Sequence, residues 1–155
     1  MIDIFLERAN NEISAAESLK KLSENEKAKI DFQLSKSITF YSSVISHSYY
    51  AIFYAAKAIL LTKGIKPRAP GVHKKTYETF DKTFVQTGIL DRRLIMIYGS
   101  LVIMADELLE IFKDEKWKRG HFTYTTIPQT NKSPADESLK NAKVFVSNIT
   151  KVLNR

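Results

Sequence analysis

Three histidines, His47, His73 and His121, are the only side chains here that ordinarily titrate near neutral pH, because the chain contains no cysteine. They are far apart in sequence and none belongs to a Glu-x-x-His pair, so no metal site is expected and no cofactor is implied. His121 stands in the string RGHFTY, two positions after Arg119 and three before Tyr124. The residues just before it are Lys116, Trp117 and Lys118. Cations can hold phosphate, and an indole can either stack on a base or clamp the segment onto the fold. A second group lies in SHSYYAIFYAAKAILL, Ser46 to Leu61, where Lys57 is the single charge. Tyr50 and Tyr54 sit one helical turn apart there and either offer hydroxyls to a cleft or complete an aromatic core. His47 reads as a hydrogen-bonded packing histidine. His73, beside Lys74 at the start of a helix, either orders the preceding loop or meets a phosphate. The scattered glycines form no phosphate-binding loop, and no serine stands in a nucleophile motif.

These side chains must be carried by helices. Apolar residues recur at spacings of three and four, with no sustained alternation of period two. Five helices are predicted. The first spans about Ile2 to Leu22, with Leu6, Ala9, Ile13 and Ala16 on one face, and Ser23 to Lys29 is the connection. The second spans about Phe32 to Lys63, with Ile38, Ile45, Tyr49, Ile52, Ala56 and Ile59 as its buried stripe and Gly64 as its stop. After the two-proline loop GIKPRAPG, a third helix runs from about Val72 to Gln86 with Phe80 and Phe84 as anchors.

Asp91 caps a fourth helix, about Arg92 to Lys113, in which Leu94, Ile97, Leu101, Met104, Leu108 and Ile111 form a seam. Its apolar arc is wide enough to predict a helix that is central or shared with a second subunit. Gly99 and Ser100 within it permit close backbone approach. An irregular segment, about Asp114 to Lys132, is the kind of long loop that often carries function. Ser133 and Pro134 open the last helix, whose inner stripe is Leu139, Ala142, Val146, Ile149 and Leu153.

The 155 residues suffice for one domain, taken as 1–155, and the 44% hydrophobic and 26% charged fractions are those of an ordinary soluble protein. No secretory signal is visible, and the apolar runs Tyr49–Leu61 and Leu94–Ala105 fall short of the roughly 20 residues that span a bilayer. A cytoplasmic protein without membrane contact is expected. The net charge is +7, unevenly spread: residues 32–75 and 116–135 contain no Asp or Glu. That distribution suits either a polyanionic partner or a plainly solvated basic face.

Four matches, in this order, give the chain a resemblance to the HEPN superfamily (higher eukaryotes and prokaryotes nucleotide-binding domain), in its small stand-alone prokaryotic branch. They are SYYAIFYAAKAILL, His73 with Lys74 after the proline loop, Arg119 followed by Tyr124, and the closing helix with Ala142, Lys143, Phe145 and Val146. The resemblance covers about Ser35 to Leu153. It implies an all-α, up-and-down bundle of four to five helices that forms a homodimer. It also implies either metal-independent ribonuclease activity or a toxin–antitoxin-like pairing with a nucleotidyltransferase.

The ribonuclease signature of that family is an arginine, four to six residues, then a histidine. This chain departs from it, with Tyr124 where the histidine belongs and Thr126 where a tyrosine usually follows. Metal-independent cleavage needs a base for the 2′-hydroxyl, an acid for the leaving oxygen and a cation for the phosphorane charge. With a pKa of about 10, tyrosine is a poor base at neutral pH. Arg119 with Tyr124 therefore suits phosphate binding better than cleavage, unless Gly120 bends the backbone so that His121 turns inward as the base. The binding residues implied are Lys118, Arg119, Lys57, Lys74, Tyr50 and Tyr54; the catalytic candidates are Arg119, His121 and Tyr124. A protein-interaction module with no nucleic-acid role is the competing reading.

Overall fold

The computed structural model describes residues 1–109, 114–122 and 132–155, and the side chains of Glu107, Glu115 and Arg119 lie outside that description. Four long helices make the bundle: α1 (Ile2–Glu24), α3 (Tyr41–Leu61), α5 (Arg92–Leu109) and α7 (Lys132–Leu153). Three short helices fill the connections: α2 (Glu26–Asp31), α4 (Val72–Phe80) and α6 (Glu115–His121). No strand occurs among the described residues. The all-α bundle expected from periodicity is what the chain forms.

The central helix is α3, which packs against α1, α4, α5 and α7. Thirteen of its 21 residues are buried. Four fully buried alanines, Ala51, Ala55, Ala56 and Ala58, keep it slim enough for neighbours on several sides, while Tyr49, Ile45, Ile52 and Ile59 fill the spaces between them. Each large side chain buried this way stabilises the fold by roughly 1.5–3 kcal/mol. By length and composition α3 could cross a membrane, but 67% of its apolar window is enclosed within the bundle. Its apolarity is explained by that enclosure.

The helix predicted to be central, α5, is less enclosed. Leu94, Ile97, Tyr98, Leu101, Val102, Met104 and Ala105 face the core, whereas Met96 is 67% exposed and Ile95 and Ile103 are half-buried. The alternative that its wide apolar arc allowed, a shared face, is the one still open. Asp91 caps this helix as expected, its Oδ1 accepting from the Arg93 backbone N–H at 2.7 Å.

Boundaries moved where serines and a left-handed residue intervene. The second predicted helix begins at Tyr41, not Phe32. Upstream, Asn25 caps α2 by accepting from the Ala28 N–H at 2.9 Å. Gln33 then adopts φ 57°, which ends the helix. Ser35 and Ser37 join through their hydroxyls at 3.0 Å, and the Phe40 N–H donates to Ser23 Oγ at 2.7 Å. The short-range Ser35–Ser37 contacts offer the backbone a competitor to helix, while the Ser23 bond ties the connection to the end of α1. The buried Lys29 amine fixes this connection by donating to the Lys36 carbonyl at 2.9 Å.

The third predicted helix is present as α4 continued by a π-helical turn, Asp81–Val85, with Phe80 and Phe84 both buried. The predicted loop from Asp114 contains α6, capped by Asp114, whose Oδ1 accepts from the Trp117 N–H at 3.1 Å. The last helix starts at Lys132, so Ser133 and Pro134 lie inside its first turn rather than before it.

Candidate functional site

The predicted site residues fall into two groups on different parts of the bundle. The first is an aromatic–cation column along α3, facing α1 and α4. The Arg8 guanidinium lies 5.6 Å from the Tyr54 ring centre, Tyr54 stacks with Phe5 at 6.2 Å, and Lys57 Nζ sits 4.7 Å from Phe5 and 5.3 Å from Phe53. Tyr50 stacks with Tyr54 at 6.1 Å. Phe53 in turn stacks on His73 at 4.4 Å.

The polar tips are mostly committed within this column. His73 Nδ1 meets the buried Tyr49 hydroxyl at 2.9 Å, and His47 Nδ1 pairs with Glu12 Oε2 at 2.5 Å. Burial, then the nearby Lys57, lowers the His73 pKa. Burial, then Arg8, lowers that of Lys57. Burial raises Tyr49 strongly and Tyr50 less. A neutral His73 with a protonated Tyr49 is therefore the state at neutral pH.

The second group gathers around α6. Lys118 Nζ donates to Asp106 Oδ2 at 2.9 Å, and the Asp106 carboxylate is 6% exposed, so Lys118 is held as the partner of a buried acid. Lys74 Nζ donates to Asp114 Oδ2 at 3.2 Å and lies 5.1 Å from the Trp117 ring centre, tying α4 to α6. The Asp114 carboxyl is held below its ordinary range by the Trp117 backbone N–H and then by Lys74. Tyr77 packs edge-on against Tyr98, Trp117 and Phe122, and burial pushes its pKa up to about 12.

His121 is exposed. Its ring stacks on Trp117 at 4.3 Å, and its Nδ1 lies 2.9 Å from the Trp117 carbonyl. A carbonyl only accepts, so Nδ1 carries the proton and Nε2 points away as the available nitrogen. Gly120 is helical, so no backbone bend is what places His121. It reaches a groove by standing at the end of α6 beside α5. That groove, about 570 Å³, is lined by Arg92, Met96, Gly99, Ser100, His121 and Phe122 among others. Gly99 eases the close approach: a Cβ there would lie 3.3 Å from the Phe122 ring and 3.5 Å from the Tyr77 hydroxyl, so Phe122 would have to give by a few tenths of an ångström.

Tyr50, Tyr54 and Lys57 are not among the residues that line this groove. Arg119 lies in α6, and Tyr124 lies outside the described residues. Sequence reasoning passed over Arg92, Ser100 and Asp106. The acid inside the apolar run LVIMADELL was the available signal for the last, since a carboxylate at a core position needs a cation. Among the described residues no cluster of three or more potential metal ligands occurs.

A helical bundle with a tyrosine-rich central helix defines a small helical domain, and comparison with known proteins places it: the chain belongs to the HEPN domain family, which matches residues 2–152. Two similar proteins come from Methanocaldococcus jannaschii. One, named "Putative toxin MJ0605", is 32% identical over 113 residues, covering 73% of this chain and 71% of that protein. The other, named "Putative toxin MJ0142", is 28% identical over 131 residues, covering 83% and 78%. A Pyrococcus horikoshii protein named "UPF0332 protein PH1297" is 46% identical over 48 residues, 31% of this chain and 32% of that one. No solved structure matches the chain significantly.

Proposed function

We propose that this is a toxin-like, cytoplasmic HEPN protein that binds RNA through the face formed by α6 and the start of α5. The observation that carries the reading is the groove in which His121 and Arg92 stand beside the exposed Met96 and the Gly99–Ser100 notch. It offers a cation for phosphate, an imidazole nitrogen and an apolar floor for a base, and most of α6 belongs to the acid-free stretch 116–135 of the sequence. Arg119 adds a fork of donors from the same short helix. Lys118 and Lys74 act from behind, by fixing α6 through Asp106 and Asp114. Tyr124, which stands where the family's motif has histidine, serves as a further phosphate contact. The toxin-named relatives support a two-component role, and a minimal nucleotidyltransferase is the partner proposed.

Fluorescence anisotropy with a labelled single-stranded RNA tests the binding. Affinity should fall steeply between about 50 and 200 mM salt, as counterion release requires. Arg92→Gln with Arg119→Gln should weaken it at least tenfold. RNA binding that is absent at low salt, or unchanged in the double variant, contradicts the proposal.

Cleavage is the second reading, favoured by one observation: the Trp117 carbonyl fixes the His121 tautomer that leaves Nε2 as a base. His121 would take the 2′-hydroxyl proton as the 2′-oxygen bonds to phosphorus and the bond to the 5′-oxygen breaks, Arg119 would stabilise the phosphorane, and solvent would protonate the leaving 5′-oxygen. A His121→Ala variant that cuts RNA as well as the parent removes this reading and leaves the binding one standing.

A further inference from the structure

A cavity of about 220 Å³ lies at the opposite end of the aromatic column, where the N-terminus of α1 meets the C-terminus of α3 and the loop after it. Phe5, Leu61 and Ile65 make its apolar part, and Lys57, Lys66 and Arg68 bring three cations to it. No carboxylate lines it. Arg8, on the turn of α1 below Phe5, adds a fourth cation close enough to depress Lys57. Among the described residues, none of these four cations forms an ion pair. Every other described lysine buried as deeply as Lys57 has an oxygen partner, as Lys29 and Lys118 do.

The sequence builds this end deliberately. After α3 the Ile65 N–H donates to the Leu60 carbonyl at 3.1 Å and the Gly64 N–H to the Leu61 carbonyl at 3.0 Å. Gly64 takes φ +69°, and together these bonds form a Schellman stop. The stop turns Ile65 back against the core and sends Lys66, Pro67 and Arg68 over the end of α1. The Arg68 carbonyl is then held by Lys75 Nζ at 3.2 Å. Lys57 is held between two ring faces, with its amine at the cavity wall. The loop is anchored while its cationic tips remain without a counter-charge.

We infer that this cavity is a binding site for a phosphomonoester attached to a compact ring or apolar group. A dianionic terminal phosphate matches several converging cations better than the single charge of an internal phosphodiester. The volume admits a phosphate with one ring, and the Phe5, Leu61 and Ile65 surface supplies the contact for that ring. The site lies away from the α5–α6 groove and stands whether or not that groove binds RNA. The same chemistry is presented by a free small phosphomonoester and by the 5′-phosphate end of an RNA.

Calorimetric titration of the full chain at low salt tests the inference with phenyl phosphate as probe and phenol as its neutral twin. Phenyl phosphate should bind saturably and phenol should not. Lys66→Gln with Arg68→Gln, both exposed in the free protein, should weaken phenyl phosphate by roughly tenfold or more, since charge-assisted bonds are lost. A charge-matched control, Lys21→Gln with Lys140→Gln, should leave it unchanged. Equal binding of phenol, no saturable binding of phenyl phosphate, or equal loss in the control overturns the proposal. A short RNA with a 5′-phosphate, set against its 5′-hydroxyl twin, then separates the sources. A preference that vanishes in the Lys66/Arg68 variant assigns the pocket to RNA ends, and phenyl phosphate binding without such a preference assigns it to small molecules. Binding of the 5′-hydroxyl RNA, which reports the groove, should be the same in that variant as in the parent.

Discussion

His73 shows how a residue that looks chemically active becomes part of the frame. Its Nδ1 is engaged by Tyr49, its ring lies on Phe53, and burial with Lys57 nearby lowers its pKa. The unfolded chain therefore binds a proton at this site at a higher pH than the folded one does. The stabilising contribution is complete above the unfolded value of about 6.5 and is lost as pH falls from there through the lower folded value. Urea midpoints measured between pH 7.5 and 5 should drop in the parent, and His73→Phe should flatten that drop. Lys118 is a second case. Lys118→Met should destabilise by about 1.5–3 kcal/mol, because it removes a charge-assisted bond from the buried Asp106 carboxylate. Asp106→Asn in the same background should recover part of the loss. Neither pairing is visible in sequence, because His73 and Tyr49 are 24 residues apart and Lys118 and Asp106 are 12 apart. Composition shows that such groups need partners but does not select them.

At the scale of elements, the long helices were legible and the short ones were not. The stripes of α1, α3, α5 and α7 repeat over several turns, so their apolar period identifies both the helix and its buried face. A helix of six or seven residues, such as α2 or α6, has too few turns to show a period and is held by caps and tertiary contacts instead. That is why α6, which carries His121, looks in sequence like part of an irregular segment. Its docking depends on the notch at Gly99. Gly99→Leu should push Phe122 and α6 away from α5 while leaving the α1–α3–α7 core intact. Trp117 is the single tryptophan, so its emission should move to longer wavelength, with a smaller fall in melting temperature than a core deletion gives. An unshifted spectrum would mean that α6 does not depend on that notch. Conversely, Ala56 is fully buried on α3, and Ala56→Leu should cost about 1–3 kcal/mol by overpacking.

At the scale of the molecule, the bundle buries its tyrosine-rich helix and leaves apolar surface on α5, where Met96 is 67% exposed and Ile95 and Ile103 are half-buried. The same residues line the His121 groove, so the homodimer expected from the family resemblance, formed on this side of α5, would join two such grooves into a shared cleft rather than close them. Light scattering after size exclusion should give twice the mass of 17.7 kDa for the parent, and Met96→Glu with Ile103→Glu should give the single chain with unchanged helical signal. A parent that elutes as a single chain at high concentration contradicts the dimer.

The central claim is that RNA is held at the α5–α6 face, and Trp117, stacked on His121, reports that face directly. Titrating the full chain with a single-stranded RNA at low salt should give saturable quenching of the Trp117 emission that weakens as salt is added. RNA that binds by anisotropy yet leaves the Trp117 emission unchanged, or that does not bind at all, would contradict it.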